Sequence, residues 1–486
     1  MKSFKLVLAA LVLLGSISCS NDDNAGPSSV DQEIKSFVWS GMNLFYYWQS
    51  DVPNLDDSKA TIGFDEFIDG YSSPESFFDD LIYRDDRFSW IVDDFEELEA
   101  SFQGVSKSFG YELGLVRETP GGDDLFAFIE YIIPGGPADQ AGLTRGMVFN
   151  QVDGTRLTID NYISLLFESD SYTIRLANIE NDDINQTNDE ISLVAVELTE
   201  NPIFLSDVIE VEGQKVGYLV YNQFINSNAY HEELNNVFGE FNAEGISDMV
   251  LDLRYNGGGS LTTSRILASM LNGGAGANDL LGTIIYNEKL AEFNADLTFL
   301  SSVPLFNNQG EQTSSISMNR LNLNRIYILI SGSSASASEF IIAGLDPFMN
   351  VTLVGDTTVG KNVGSVTLYD SEDFLKSETL NPNHTYAIQP IISQIANSVG
   401  FTDYIDGFAP DSRVREVEFL EDGLAPLGEL SEPLLAEALG MITGAARSRQ
   451  SAYSHFEKVR IKKVREQTIL LDGESLSPVL RDMLFQ

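Results

Sequence analysis

A serine that opens a helix directly after an apolar strand is well placed to attack a carbonyl carbon, and Ser336 holds such a position. Ile328-Leu329-Ile330 leads through the small residues Ser331-Gly332-Ser333-Ser334-Ala335 into Ser336-Ala337-Ser338-Glu339-Phe340, a pattern that predicts a strand over 325–330 and a helix over 336–345. The first N–H groups of a helix have no partner within it, and the positive end of its dipole favours an oxyanion. Small neighbours let a peptide carbonyl come close. Such a serine still needs a base. His231, His384 and His455 are scattered through no recognisable catalytic setting, which disfavours a Ser-His-Asp arrangement. Lys361, in Val354-Gly355-Asp356-Thr357-Thr358-Val359-Gly360-Lys361-Asn362, fits instead. A lysine at its reference pKa of about 10.4 is a poor base, but burial strips the ammonium of solvation and leaves an amine able to take the serine proton. Taken singly, the serines suit a helix N-cap equally well, and Lys361 suits a solvated surface.

The elements that must position these residues show in the hydrophobic pattern. From 203 to 444 strands and helices alternate, which argues for an α/β core. Strands are predicted over 216–221 and 248–253, and helices over 228–241 and 261–271, while 272–324 interrupts the rhythm and reads as an insertion. Residues 102–202 carry short strands with turn signals, including 126–133 and 172–176. Within them, Gly136-Pro137-Ala138-Asp139-Gln140-Ala141-Gly142-Leu143-Thr144-Arg145-Gly146-Met147-Val148-Phe149-Asn150-Gln151-Val152-Asp153-Gly154 reads as a short helix, a glycine turn, a strand and an Asp-Gly hairpin. Residues 32–101 place Phe37, Met42, Phe45, Trp48, Phe77 and Leu81 at helical spacing among acidic residues, as in a small helical N-terminal domain.

Together these motifs resemble the C-terminal processing, or tail-specific, serine peptidases, across roughly 100–444. Ser334-Ala335-Ser336-Ala337-Ser338-Glu339 matches the family's nucleophile motif and Gly360-Lys361 its base motif, 25 residues on. Asp252-Leu253-Arg254-Tyr255-Asn256-Gly257-Gly258-Gly259 and Tyr404-Ile405-Asp406-Gly407-Phe408-Ala409-Pro410-Asp411 resemble two more, and 136–154 resembles a PDZ signature. The resemblance implies a multidomain α/β protein whose core is related to the crotonase and Clp-protease type. It implies that Ser336 attacks while Lys361 takes and returns the proton, with the oxyanion on the N–H of Ala337 and one from Gly257 or Gly258. Many members carry Gln four residues after the lysine; this chain has Ser365 there, and Asn362 replaces a usual glycine, so Ser365 and Asp346 are the candidates for a third member. A PDZ-like domain implies capture of substrate C-termini by strand addition, with Gly110, Tyr111, Leu113 and Gly114 as the candidate loop and strand. No cofactor or metal is implied. A catalytically silent peptide-binding protein on the same fold is the competing reading, against which stands the retention of both Ser336 and Lys361.

Composition bounds the partners. Of 486 residues, 43% are hydrophobic and 21% charged, as in globular proteins, but 73 Asp and Glu against 29 Lys and Arg give a net charge of −44. That field repels nucleic-acid phosphates and disfavours nucleic acid as a partner. Lys2 and Lys5 precede an apolar run over 6–14, followed by the small residues Gly15, Ser16 and Ser18 and then by Cys19, the only cysteine, as in a bacterial lipoprotein signal, although Ser16 stands where Leu is usual. A secretory peptide cut between Ser18 and Cys19 is the plainer alternative, and both readings export the chain to the cell envelope. Residues 1–18 are then the signal, 19–31 a polar tether, 32–101 the helical domain, 102–202 the PDZ-like domain, 203–444 the catalytic core and 445–486 a basic extension. In that extension Arg447, Arg449, Lys458, Arg460, Lys462, Lys463 and Arg465 reverse the charge of the chain, as in a segment that docks on acidic surface or on an anionic envelope component.

Overall fold

The computed structural model describes residues 29–272, 274–307, 312–321, 323–445, 456–459 and 469–471. The signal, Cys19 and every basic residue of the extension except Lys458 lie outside the described residues.

Helix α1, Val30–Phe45, starts where the Ser29 hydroxyl accepts from the N–H of Gln32. It packs against α2, Pro74–Asp80, and α3, Phe95–Phe102, follows. These helices pack directly on the core. Phe37, Met42 and Phe45 share one continuous core with Leu368 and Ile388, and a Cβ on Gly41 would lie 3.0 Å from Ile388 Cδ1. The short strand Trp90–Val92 pairs antiparallel with Ala387–Gln389. The expected helical module is therefore a cover on the core.

An antiparallel sheet follows: β1 Tyr111–Arg117, β2 Leu125–Ile132, β3 Val148–Val152, β4 Ser171–Glu180 and β5 Asp183–Val194, in that spatial order. One face buries Leu113, Leu115, Ala127, Ile129 and Phe149 around its own core. The Asp-Gly hairpin forms at Asp153 and Gly154, both at positive φ. Against the outer edge of β1 lies Glu457–Val459 from the far end of the chain.

The core begins with β6 Ile203–Val211 and β7 Gln214–Tyr221, an antiparallel pair, then α4 Asn228–Glu244 and β8 Asp248–Asp252. Next come β9 Gly259–Ser260, α5 Leu261–Leu271, β10 Leu280–Tyr286, β11 Arg325–Ile330, α6 Ala337–Leu345 and β12 Asn350–Gly355. After them run β13 Val363–Ser365, β14 Ile391–Asn397 and α7 Pro433–Thr443. One sheet orders β6-β7-β8-β11-β12, parallel from β7 onward; β8 and β11 are fully or almost fully buried, as parallel strands covered on both faces should be. The second orders β9, Ile469–Leu470, β13, β14 and β10. The stretch 272–324 is thus no appended insertion, because β10 pairs with β14 and buries Leu281 and Ile284 in the main core.

A buried ionic network joins the antiparallel sheet to the core. Arg254, with no solvent exposure, bonds Asp252 at 2.8 Å and Glu432 at 2.5 and 2.9 Å. Arg145, between α-helical and strand segments of the antiparallel domain, reaches Glu416 at 2.5 Å and also bonds the Tyr255 hydroxyl. Burial works against ionising Glu416, but Arg145, Arg254 and Lys458 outweigh it and hold its pKa at about 2. Removing one partner of such a network strands buried charge. Arg254→Met is expected to cost about 3–5 kcal/mol in urea denaturation at pH 7, and Arg254→Lys to recover little because it lacks the planar fork. A loss below about 1 kcal/mol would show that the network does not hold the two units together.

Candidate active site

The turn that carries Ser336 is built by β11 and α6. Ser336 is the N-cap of α6 at φ 64° and ψ −112°, a conformation that costs a non-glycine residue about 1–3 kcal/mol unless its surroundings impose it. They do. The N–H of Ser336 donates to Glu339 Oε2 at 2.8 Å, Ala335 N–H donates to the carbonyl of Asn256 at 3.1 Å, and the Ser338 hydroxyl donates to the same carbonyl at 2.9 Å. Every residue of α6 is buried, so the helix cannot shift to relieve the turn. The Ser336 hydroxyl is itself buried and has no hydrogen-bond partner among the described residues. A buried hydroxyl without a partner is costly.

Lys361 is brought to the same place by Glu339. Its N–H donates to Glu339 Oε2 at 2.8 Å, the oxygen that also serves Ser336, so the two backbone nitrogens are at most two such bonds apart. The other oxygen accepts from Gly360 N–H at 2.6 Å and from the Thr358 hydroxyl at 2.5 Å. Burial raises the Glu339 carboxyl above its ordinary range, and these four donors offset part of the rise. The loop carrying Lys361 is clamped from the other side by the 404–411 motif. Phe408 N–H donates to the Thr358 hydroxyl at 2.8 Å, and a Cβ on Gly360 would lie 2.0 Å from the carbonyl of Ile405. Only glycine allows that approach, at φ 83°.

The Lys361 side chain has no solvent exposure, and burial pushes its pKa down to about 7 against the opposing pull of Asp86 and Glu339. Much of the dryness comes from the N-terminal cover. Phe88 sets its ring 4.8 Å from Nζ, and Arg87 donates to the carbonyl of Gly360 at 2.8 Å. Asp86 is fixed by the Tyr46 hydroxyl at 2.7 Å. Residues 86–88 and Glu339's role as anchor were not foreseen from the pattern. Glu339 had a signal in its place three residues past Ser336, where a carboxylate reaches back to the N-cap; residues 86–88 had none.

The other expected residues separate. The N–H groups of Ala337 and Gly257 make no hydrogen bond among the described residues, and Gly257 adjoins the Asn256 carbonyl that holds the Ser336 turn. Gly258 is not available, because its N–H donates to the Asn256 side chain at 2.9 Å. Ser365 is buried in β13 and accepts from Gln389 Nε2 at 3.1 Å, which makes Gln389 a further unforeseen neighbour. Asp346 is corrected: it caps the C-terminal end of α6 and is exposed, a whole helix away from Ser336. Gly110, Tyr111, Leu113 and Gly114 lie on or beside β1, in the antiparallel unit. Gly110 already donates its N–H to the Ser108 hydroxyl at 3.0 Å, Tyr111 bonds Tyr172, and Gly114 is required by Phe128, whose Cε1 would lie 2.3 Å from a Cβ there. A cleft of about 1100 Å³ runs from Glu112 and Leu113 to Gly257 and Thr358, connecting that strand to the Ser336 region.

Comparison with known proteins agrees with this geometry. Residues 215–389 match the model of peptidase family S41, and 33–90 match the peptidase S41 N-terminal domain. A CtpA-like serine protease of Staphylococcus haemolyticus is 21% identical over 440 residues, covering 87% of this chain and 78% of that protein. A carboxyl-terminal-processing protease of Synechocystis is 24% identical over 296 residues, 58% of this chain and 60% of its own length. A crystal structure of an S41 protease from Bacteroides fragilis superposes with a TM-score of 0.65 at 27% identity, covering 87% of this chain and 99% of that one. The chain is thus similar to peptidase family S41 over 33–90 and 215–389, and it shares a mixed α/β fold with the Bacteroides fragilis protein.

Burying an amine has a measurable cost in stability. Between pH 7 and the unfolded lysine value of 10.5 the unfolded chain binds a proton that the folded chain does not, so stability rises with pH across that window. Below it the chain carries the whole penalty, on the order of 5 kcal/mol. Lys361→Met is therefore expected to be more stable than the parent at pH 6 in urea unfolding, with the gap closing by pH 10. A variant less stable than the parent at pH 6 would contradict the burial penalty.

Proposed function

We propose that this chain is a serine endopeptidase in which Ser336 is the nucleophile and Lys361 the general base. Neutral Lys361 takes the Oγ proton as Oγ bonds the peptide carbonyl carbon. The carbonyl oxygen becomes an oxyanion facing the N–H groups of Ala337 and Gly257, each such donor being worth about 3 kcal/mol in the transition state. Collapse breaks the C–N bond, and the lysine ammonium gives its proton to the leaving amine. Water then releases the acyl group by the same transfers in reverse roles. Ser365, backed by Gln389, is the candidate for orienting the amine. The observation that carries the reading is a lysine with no solvent exposure whose pKa falls to about 7, on a loop tied to the nucleophile turn through one carboxylate oxygen.

The substrates are exported polypeptides, drawn in by their C-termini along β1 of the PDZ-like unit. Lipid on Cys19 would hold the enzyme at the bacterial envelope. A silent peptide-binding protein on the same fold needs neither a strained serine nor a dry lysine. Ser336→Ala and Lys361→Ala are each expected to lose about 10³-fold or more in kcat on an unfolded polypeptide with KM little changed. In the parent, kcat/KM should climb about tenfold per pH unit below 7 and level off above it. Cleavage at the parent rate by either variant would overturn the assignment. Amidation of a peptide's C-terminus is expected to weaken its binding, and equal affinity would count against carboxylate capture.

A further inference from the structure

We infer that the chain's own C-terminal segment is a resident occupant of the path along which substrate reaches Ser336; this rests on the peptidase reading above. Two pieces of that segment are placed, one on the outer edge of the candidate capture strand and one between two strands of the core's second sheet. Glu457–Val459 adds antiparallel to the outer edge of β1, with Glu457 opposite Arg117, Lys458 opposite Val116 and Val459 opposite Leu115. It therefore runs toward Gly110, the direction of a C-terminus captured by strand addition. Phe456 is buried with its ring 5.0 Å from that of Phe126, and Lys458 meets Glu130 of β2 at 2.5 Å. Lys458 and Val459 line the same cleft that reaches Gly257 and Thr358.

The second piece sits beside the dyad. Ile469–Leu470 pairs parallel with Gly259–Ser260, two residues past the candidate oxyanion donor Gly257. On its other side Leu470 pairs with Ser365, and Leu471 N–H donates to the Ser365 carbonyl at 3.0 Å. These two pieces thus touch the capture strand, the cleft and the strands that carry Gly259 and Ser365. With them in place neither Ser336 nor Lys361 has any solvent exposure. Lys458, in a chain of net charge −44, is seated on the buried carboxylate of Glu130.

A tethered occupant competes at an effective concentration in the millimolar range, so it raises the apparent KM of an incoming polypeptide and leaves kcat alone. The test is hydrogen exchange on the full-length Ser336→Ala protein, with and without carboxymethylated α-lactalbumin at concentrations that saturate binding by fluorescence anisotropy. Amides of 456–459 and 469–471 are expected to exchange about tenfold faster or more when the polypeptide is bound, while β2 and β11 keep their protection. Unchanged protection of the segment in the saturated complex would overturn the inference, since strands that merely complete two sheets would stay put. Because this readout needs no turnover, it stands or falls separately from the role of Ser336.

Discussion

An amine without water around it is the constraint on which the rest of this molecule is arranged. A solvated lysine is protonated at neutral pH, whereas this fold leaves the Lys361 side chain no solvent exposure. It does so with pieces distant in sequence. Phe88 covers the amine, Arg87 pins the covering loop to the Gly360 carbonyl, and the 404–411 segment closes on Thr358 and Gly360 from behind. The N-terminal helices make sense in this light. Their packing on Leu368 and Ile388 carries the Asp86-Arg87-Phe88 turn onto the lysine, which explains why they share the main core.

Glu339 does the complementary work of alignment. Four donors converge on its two oxygens, and two of them are the backbone N–H groups of the residues that must meet. A carboxylate fully occupied in this way can stay buried beside the lysine while orienting its loop, and it holds Ser336 in a strained backbone state. The same economy appears at Asn256, whose carbonyl anchors the Ser336 turn and whose side chain accepts from Gly258 N–H.

Much of this arrangement was legible in the residues. Strand 325–330, helix 261–271 and the helix beginning after Ser336 follow from apolar runs punctuated by small residues, and the observed bounds agree. Lys361 was legible because glycine, a strand and the 25-residue interval frame it. What escaped depends on contacts that leave no local period. Asp346 looked plausible by proximity in sequence, but one helix carries it to the opposite end. Gly258 looked equivalent to Gly257 until the Asn256 side chain took its N–H. The stretch 272–324 broke the helix-strand rhythm, yet β10 within it supplies a core strand, because pairing partners 110 residues away decide membership of a sheet. The cover at 86–88 is a charged turn whose purpose exists only in three dimensions.

The central claim is that Lys361 loses its proton near neutrality. The direct measurement is an NMR titration of the protein carrying lysine labelled with ¹³C at Cε, with the Lys361 signal assigned by its absence in Lys361→Arg. A midpoint near pH 7 is expected from the burial of the amine. A lysine that keeps its proton to pH 10 would contradict the account, because no amine would then be free to accept from Ser336.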